Sequence, residues 1–455
     1  MFGVLALLLG RPWFAVAGVS AFLLLLVLVN NAKMKSLREP FVFQDFEYFT
    51  DAITHPRLYI PFFGWARTLT ATTGFVLAVL AGWWLEEAPA DRVSWSGQLG
   101  GVAVVLLLGI ALLGAAWRAC LAVSFDPLRD MRELGLLSSL WRYGRAERAA
   151  PSLKSPFASL ATAKVGSVRP HLVAVQSESF FDPRPLFAGI RPDVLAEFDR
   201  IKAAAIAHGR LAVPAWGANT VRSEFAFLSA IVESALGVHR FNPYRKAVRA
   251  GIETLASFLK RLGYRTVCVH PYPASFYARD RIFPLLGFDE FIDIDDFSGA
   301  QRCGPYVGDK AVAEKIASIV EMAKEPVFVF AITMENHGPL HLEKASEEDV
   351  ARLYAEPPPA GCNDLTIYLR HLRNADDMLA RLTAVLSACS RPSGLCWFGD
   401  HVPIMSEVYD AVGAPDGDTE YLVWRNASAA CPADEKCIEA HSLAFIWLRA
   451  MGMVS

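Results

Sequence analysis

The sequence lacks an excess of charge of either sign. Its 455 residues carry 44 Lys and Arg against 47 Asp and Glu, a formal net charge of −3, so no basic field exists to hold nucleic acid or an anionic surface non-specifically. Nucleic acid is therefore not an expected partner. Charge is scarce altogether: 20% of residues are charged and 53% are hydrophobic. A mean hydropathy of +0.29 excludes a disordered chain and is too apolar for an ordinary soluble one. The sequence also lacks internal repeats and any glycine-rich phosphate loop of the P-loop or dinucleotide type, which removes solenoids and the commonest nucleotide-binding devices.

Apolar runs are what the N-terminal part has instead. Pro12 to Val29, Thr68 to Leu85 and Val93 to Trp117 contain no charge, and each is about long enough to cross roughly 30 Å of hydrocarbon at about 1.5 Å per residue. They predict three spanning helices in a membrane domain over residues 1–123. The first is expected to remain as an anchor, because no basic segment precedes its apolar run and Val29-Asn30-Asn31 is a poor cleavage site. Trp65, Trp83, Trp84 and Trp117 lie near the ends of the runs, as interfacial aromatics do.

Two signals for orientation oppose each other. Lys33, Lys35, Arg38 and Arg57 in the first loop, with Arg118, Arg129 and Arg132 after the third run, would hold the large polar domain in the cytoplasm by the positive-inside rule. Yet seven cysteines, Cys268, Cys303, Cys362, Cys389, Cys396, Cys431 and Cys437, lie in that domain. Cys389 with Cys396, and Cys431 with Cys437, are spaced to close short loops in an oxidising compartment, against the alternative of reduced, partly buried thiols.

Between residues 124 and 168, Leu134, Leu137, Leu140 and Trp141 recur at helical spacing among arginines, and small residues follow. This predicts an interfacial helix and a linker. From His171 the texture changes. His171 to Val175, Thr266 to Val269, Val327 to Ile332 and Leu395 to Phe398 are short apolar runs of strand type. Leu195 to His208, Ile252 to Leu262, Val312 to Met322 and Asp364 to Leu386 have helical patterns. Such alternation predicts an α/β domain over residues 169–455, a doubly wound and mainly parallel sheet with helices on both faces.

Ligands of such sheets gather at the carboxyl ends of the strands. Gln176-Ser177-Glu178-Ser179, His270, Glu335-Asn336-His337-Gly338 and Gly399-Asp400-His401 follow the four apolar runs, and this mixture of oxygen and nitrogen donors suits Mn²⁺ or Zn²⁺. Gly217-Ala218-Asn219-Thr220 leads into a helical pattern. The Thr220 hydroxyl is thereby placed near a helix N-terminus, where the dipole favours an alkoxide or a phosphoryl oxygen. Taken alone, Asn219-Thr220 is a helix cap; as a nucleophile, Thr220 needs a metal or a base.

With Glu178, Thr220 followed by Ser223-Glu224-Phe225, His337 in Asn-His-Gly-Pro, and Asp400-His401, the chain resembles the lipoteichoic acid synthase and phosphoglycerol transferase family, a branch of the alkaline phosphatase and sulfatase superfamily. The match runs from His171 to about Ile404 with motif order intact. It implies that Glu178, Thr220, Asp400 and His401 bind one Mn²⁺, with Mg²⁺ or Zn²⁺ as alternatives. Thr220 is then the covalent nucleophile and His337 the head-group contact and acid or base. His270 followed by Ser275-Phe276-Tyr277-Ala278-Arg279-Asp280 is similar to the family's Ser/Thr-Phe-Trp-Asn-Arg-Asp stretch, which implies Arg279 as a phosphate or glycerol contact, with Tyr277 in place of Trp.

The resemblance further implies a multi-pass protein of the cell (inner) membrane whose catalytic domain faces the periplasm or cell exterior. The implied donor is phosphatidylglycerol, and the acceptor a polyglycerolphosphate chain, a periplasmic glucan or a capsular glycan. Two departures stand out: the family synthases usually have five spanning helices against three here, and the sulfatase Cys-x-Pro-x-Arg signature is absent at the nucleophile, which disfavours sulfate-ester cleavage. The competing expectations are a phosphoethanolamine transferase using the same Thr and metal, and a catalytically silent membrane sensor; the retained ligands oppose the sensor.

Overall fold

The computed structural model describes residues 2–9, 11–54, 56, 64–86, 95–119, 121–160, 168–426 and 435–454. The chain divides into two units, Met1–Ala146 and Glu147–Ser455.

In the first unit the apolar runs form the helices Pro12–Leu37, Trp65–Leu85 and Trp95–Arg118. Among the described residues two helices, Pro12–Leu37 and Leu99–Arg118, are long and apolar enough to cross a membrane. The second expected span is helical too, but its apolar part, Thr72–Trp84, is shorter. Leu24, Leu77, Leu107 and Leu112 stand exposed on these helices, surface that water would penalise and hydrocarbon would not. The amphipathic run expected as one interfacial helix is two, Pro127–Leu134 and Leu136–Ala146, broken at Gly135 with φ +79°. Asp130 ties the pair together. Its carboxylate accepts the Ser124 and Phe125 amides and the Tyr143 hydroxyl at 2.7 Å.

The second unit is built on an eight-stranded sheet. Its strands are β1 His171–Ser177, β2 Ala207–Ala212, β3 Arg265–Val269, β4 Glu290–Ile292, β7 Val327–Ile332, β8 Ser393–Gly399, β9 Thr419–Arg425 and β10 Ile438–Glu439, in the order β10-β2-β9-β8-β1-β7-β3-β4. A separate hairpin pairs β5 Arg302–Cys303 with β6 Tyr306–Val307. The central strands β8, β1, β7 and β3 are parallel neighbours and buried throughout apart from Arg265. Burial on both faces is why they read as continuous apolar runs rather than alternating ones. Val173, Val175, Val329 and Trp397 face one core, shared with the helices Ala196–Ala203, Asp309–Glu321 and Asn363–Ala388. Leu172, Ala174, Phe330 and Phe398 face the other, with Thr220–Ser229, Leu255–Arg261 and Ala440–Ala450. The layers are those of the doubly wound, mainly parallel α/β domain expected from the sequence.

Two local expectations are corrected. The helix expected over Leu195 to His208 ends at Ala203, and Ala207 already belongs to β2, which pairs antiparallel with β9; tertiary pairing overrides the run of alanines. Cys389 and Cys396 are not bridged. Cys389 turns its thiol back onto the Val385 carbonyl and packs on the first core, while Cys396 points from β8 into the second. The sheet itself separates them. Cys431 lies outside the described residues, and the Cys437 thiol is 3.8 Å from Asp418.

Candidate active site

Because β8, β1, β7 and β3 run parallel, the residues that follow them emerge at one edge of the sheet. Glu178 leaves β1 with its amide donating to Thr333 Oγ1 (2.9 Å). Asp400 and His401 leave β8 after Gly399, where a side chain would run into the Phe180 carbonyl oxygen; only glycine lets the two turns approach this closely. Glu178, Asp400 and His401 are buried, and each offers one ligand atom within 4.8 Å of the others.

The polar partners are unevenly distributed. Asp400 Oδ1 accepts the amides of Ser179 (2.9 Å) and His401 (3.0 Å), whereas Oδ2 is buried without a hydrogen-bond partner among the described residues. His401 Nδ1 lies 3.2 Å from the Val402 carbonyl, so Nδ1–H donates there and Nε2 carries the lone pair. That lone pair stands 3.4 Å from Asp400 Oδ2 and 3.7 Å from Glu178 Oε1. Three electron-rich atoms facing one another is an arrangement a divalent cation satisfies, and an imidazole held through its other nitrogen is the usual form of such a ligand. Burial, and then the charge of Asp400, push Glu178 up to about 8. The donor set therefore fits Mn²⁺ or Zn²⁺ in chemistry.

Thr220 is the first residue of the helix Thr220–Ser229, following Asn219 in the left-handed region (φ +64°). Asn219 makes no side-chain cap bond to this helix. Thr220 Oγ1 lies instead 3.4 Å from His401 Nε2, so the structure brings Thr220 to the same three residues. Ser223, a turn later, donates to the Asp400 carbonyl oxygen (2.6 Å) and fastens the helix to the β8 turn.

His270, Tyr277, Arg279 and His337 form the adjoining part. His270 Nδ1–H donates to the Ile332 carbonyl and Nε2 accepts from Arg279 Nη1, both at 3.1 Å; burial and the guanidinium hold it well below its ordinary value, hence neutral. Arg279 is buried, paired with Glu224 at 2.8 Å, and its Nε is unpartnered among the described residues. Tyr277 and Ala278 both have positive φ, +54° and +53°, a strained turn of the kind that persists where surroundings impose it. It puts the Tyr277 ring 5.2 Å from the guanidinium. His337 is half-buried. Its Nδ1–H donates to the Gly338 carbonyl (2.6 Å), and the Tyr306 hydroxyl donates to the same oxygen (3.1 Å). Nε2 is then the basic atom, and burial lowers its pKa.

Sequence reasoning passed over four supports: Ser179, whose hydroxyl donates to Glu178 Oε1 (2.8 Å), Thr333, Glu224 and Tyr306. Ser179, beside Glu178, and Glu224 lie inside the motifs already singled out, but the partner of Glu224, Arg279, is distant in sequence, and Tyr306 sits in a short hairpin with no motif of its own.

The sulfatase family model matches residues 170–453. The chain belongs to the sulfatase family. This sulfatase-family chain is 28% identical over 449 residues to the capsular polysaccharide biosynthesis protein RkpI of Rhizobium meliloti (strain 1021), a match covering 93% of this chain and 79% of that one. The phosphoglycerol transferase GacH of Streptococcus pyogenes, solved with sn-glycerol-1-phosphate, is similar in fold, with TM-score 0.51, 22% identity, and 68% of this chain and 79% of that one covered. The lipooligosaccharide phosphoethanolamine transferase EptA of Neisseria meningitidis, an integral membrane protein, is similar in fold over 94% of this chain and 83% of its own, with TM-score 0.56 and 13% identity.

Proposed function

We propose that the chain is a metal-dependent phosphoglycerol transferase of the cell membrane, moving glycerol phosphate from phosphatidylglycerol to a glycan or polyglycerolphosphate acceptor through a covalent Thr220 intermediate. The observation that carries this reading is the buried, unpartnered Asp400 Oδ2 grouped with Glu178 and His401, whose Nε2 lies 3.4 Å from the Thr220 hydroxyl. Mn²⁺ is the favoured ion, with Mg²⁺ or Zn²⁺ as alternatives; held by Glu178, Asp400, His401 and Thr220, it would lower the hydroxyl's pKa and offset charge on the phosphoryl oxygens.

Thr220 Oγ1, at a helix N-terminus that favours negative charge, attacks the phosphorus in line. The bond from phosphorus to the diacylglycerol oxygen breaks, that oxygen takes up the proton Thr220 gives up, and glycerophosphate remains on Thr220. Arg279 Nε–H and Tyr277 receive the phosphate and the glycerol, with His270 holding the guanidinium in place. His337 Nε2, kept unprotonated at neutral pH, takes the proton of the acceptor hydroxyl, which attacks the phosphorus and releases Thr220. Positioning and charge neutralisation are most of what phosphoryl transfer requires.

A lipid donor of the outer leaflet accounts for the apolar helices and supports a multi-pass protein, residues 1–123 in the membrane and residues 169–455 facing the periplasm or exterior. The likeness to RkpI across most of the chain favours a capsular or related glycan as acceptor. Phosphoethanolamine transfer is the second reading, supported by the EptA-like fold over 94% of the chain; the Ser223-Glu224-Phe225 context, with Glu224 holding Arg279, favours the glycerol branch. Purified full-length protein given radiolabelled phosphatidylglycerol is expected to release diacylglycerol and a labelled water-soluble product. Use of phosphatidylethanolamine alone would replace this reading with the second.

A further inference from the structure

Behind His337 lies a buried group of ionisable residues with no part in the chemistry above. Glu335 opens the loop that carries Asn336, His337 and Gly338, and Glu343 closes it. His371, on the helix Asn363–Ala388, reaches both ends: Nδ1 is 2.9 Å from Glu335 Oε1 and Nε2 is 3.0 Å from Glu343 Oε1. A carboxylate oxygen supplies no hydrogen, so each ring nitrogen must donate one, and an imidazole that donates at both nitrogens is a cation. The ring and Glu335 are almost fully buried, at 2% and 0% exposure, which keeps water from competing for these bonds.

We infer that His371 is a positioning residue, an imidazolium buckle that fastens both ends of the loop 335–343 to the long helix and so holds His337 in register with Thr220. The inference rests on the role proposed for His337. Asn374 and Arg370 of the same helix each reach one end, whereas the His371 ring spans both.

The charged surroundings sustain the proton. Burial works against it, but the bonds and charges of Glu335 and Glu343 outweigh burial and push His371 up to about 9. From the helix Asp309–Glu321, Asp309 faces the same pair: its amide donates to Glu335 Oε2 (2.6 Å), and its own carboxyl is driven well above the usual range by burial and by Glu335. Arg370, beside His371 on its helix, bonds Glu343 Oε2 (2.6 Å) and Asp349 Oδ2 (3.2 Å). Asn374, one turn on, donates to Glu335 Oε1 and lies 3.6 Å from the thiol of Cys303, which burial and Glu335 push up to about 12 and so keep neutral.

The test uses the full-length protein in mixed micelles of phosphatidylglycerol and compares wild type with His371→Gln, His371→Lys and Glu343→Gln. His371→Gln is expected to lower kcat on the order of tenfold to hundredfold, the scale of a misplaced catalytic group, with KM for the lipid within about twofold. The wild-type kcat should fall above pH 9; that limb should vanish in His371→Gln and move upward in His371→Lys. Amide hydrogen exchange of peptides spanning residues 335–343 should accelerate in His371→Gln and in Glu343→Gln. Should His371→Gln fail to fold, Glu343→Gln, which removes the charge facing His371 Nε2 at a partly exposed carboxylate, carries the comparison. Unchanged kcat with unchanged exchange overturns the buckle, as does an alkaline limb that persists in His371→Gln. If wild type itself releases no diacylglycerol, the functional reading fails, and exchange in the loop still decides the buckle.

Discussion

Glu224 and Arg279 form a 2.8 Å ion pair in which neither side chain reaches solvent, at 0% and 1% exposure. The pair joins the Ser-Glu-Phe segment after Thr220 to the strained turn that carries Tyr277. The Tyr244 hydroxyl also bonds Glu224, and His270 also bonds Arg279. Removing one member leaves a charge stranded in the core, which costs about 3–5 kcal/mol, whereas removing both costs much less. In urea denaturation, Arg279→Met should therefore be more destabilised than Arg279→Met combined with Glu224→Gln. Additive losses would show that the two side chains are not coupled.

The metal centre predicts composition as well as activity. Glu178, Asp400 and His401 should hold about one divalent ion per chain, the stoichiometry of a single three-residue site with an open position. Asp400→Ala, which removes both the unpartnered Oδ2 and the anchor of the Ser179 and His401 amides, should lose it. Metal content unchanged in that variant would mean that other residues are the ligands.

Thr220 bonds no helix amide among the described residues and lies instead beside His401. Thr220→Ala should accordingly cost less than the roughly 0.5–2 kcal/mol of a lost cap, yet abolish diacylglycerol release. Thr220→Ser should keep part of the activity, because a primary hydroxyl can still attack. Wild type mixed with donor lipid and no acceptor should show a glycerophosphate adduct on the Thr220 peptide by mass spectrometry. A fully active Thr220→Ala protein without adduct would end the covalent mechanism.

Acid sensitivity should come in part from His171, the first residue of β1. Its Nδ1 accepts the Val327 amide at 3.3 Å, so the ring must be neutral there, and burial together with Arg391 lowers it to about 4. A group held below its unfolded value near 6.5 binds more protons when unfolded, so stability falls as pH drops from about 6.5 toward 4 and is unaffected above. Urea midpoints at pH 7, 5 and 4 should show this loss, and His171→Asn should flatten it.

Orientation has a direct readout. An alkaline phosphatase reporter fused after Ser455 should be active if the sulfatase-like domain is exported. An inactive fusion at that position, with an active cytoplasmic reporter in its place, would put the domain on the other side of the membrane.

Much of the site was legible in order along the chain. The runs at β1, β3, β7 and β8 are apolar because those strands are buried on both faces, and Glu178, His270, His337 and Asp400 follow them because polar groups are tolerated only where a strand leaves the core. The short outer strands β4 and β10 were not legible, since two or three residues carry no period. Nor was β2, where Ala207 and His208, the end of a helical pattern, are drawn into antiparallel pairing with β9.

The sequence by itself determined the α/β class, the apolar N-terminal helices and the set of residues that could bind a metal, because each depends on local composition and short spacing. Only the tertiary structure decided which of them meet. Cys389 and Cys396, seven positions apart, sit on opposite faces of the sheet, while Glu224 and Arg279, or Glu335 and His371, close on each other across long stretches of chain. Local periodicity sets which face of an element is buried, but the partner across that face is chosen by the packing of whole layers, and no spacing within a single element encodes it.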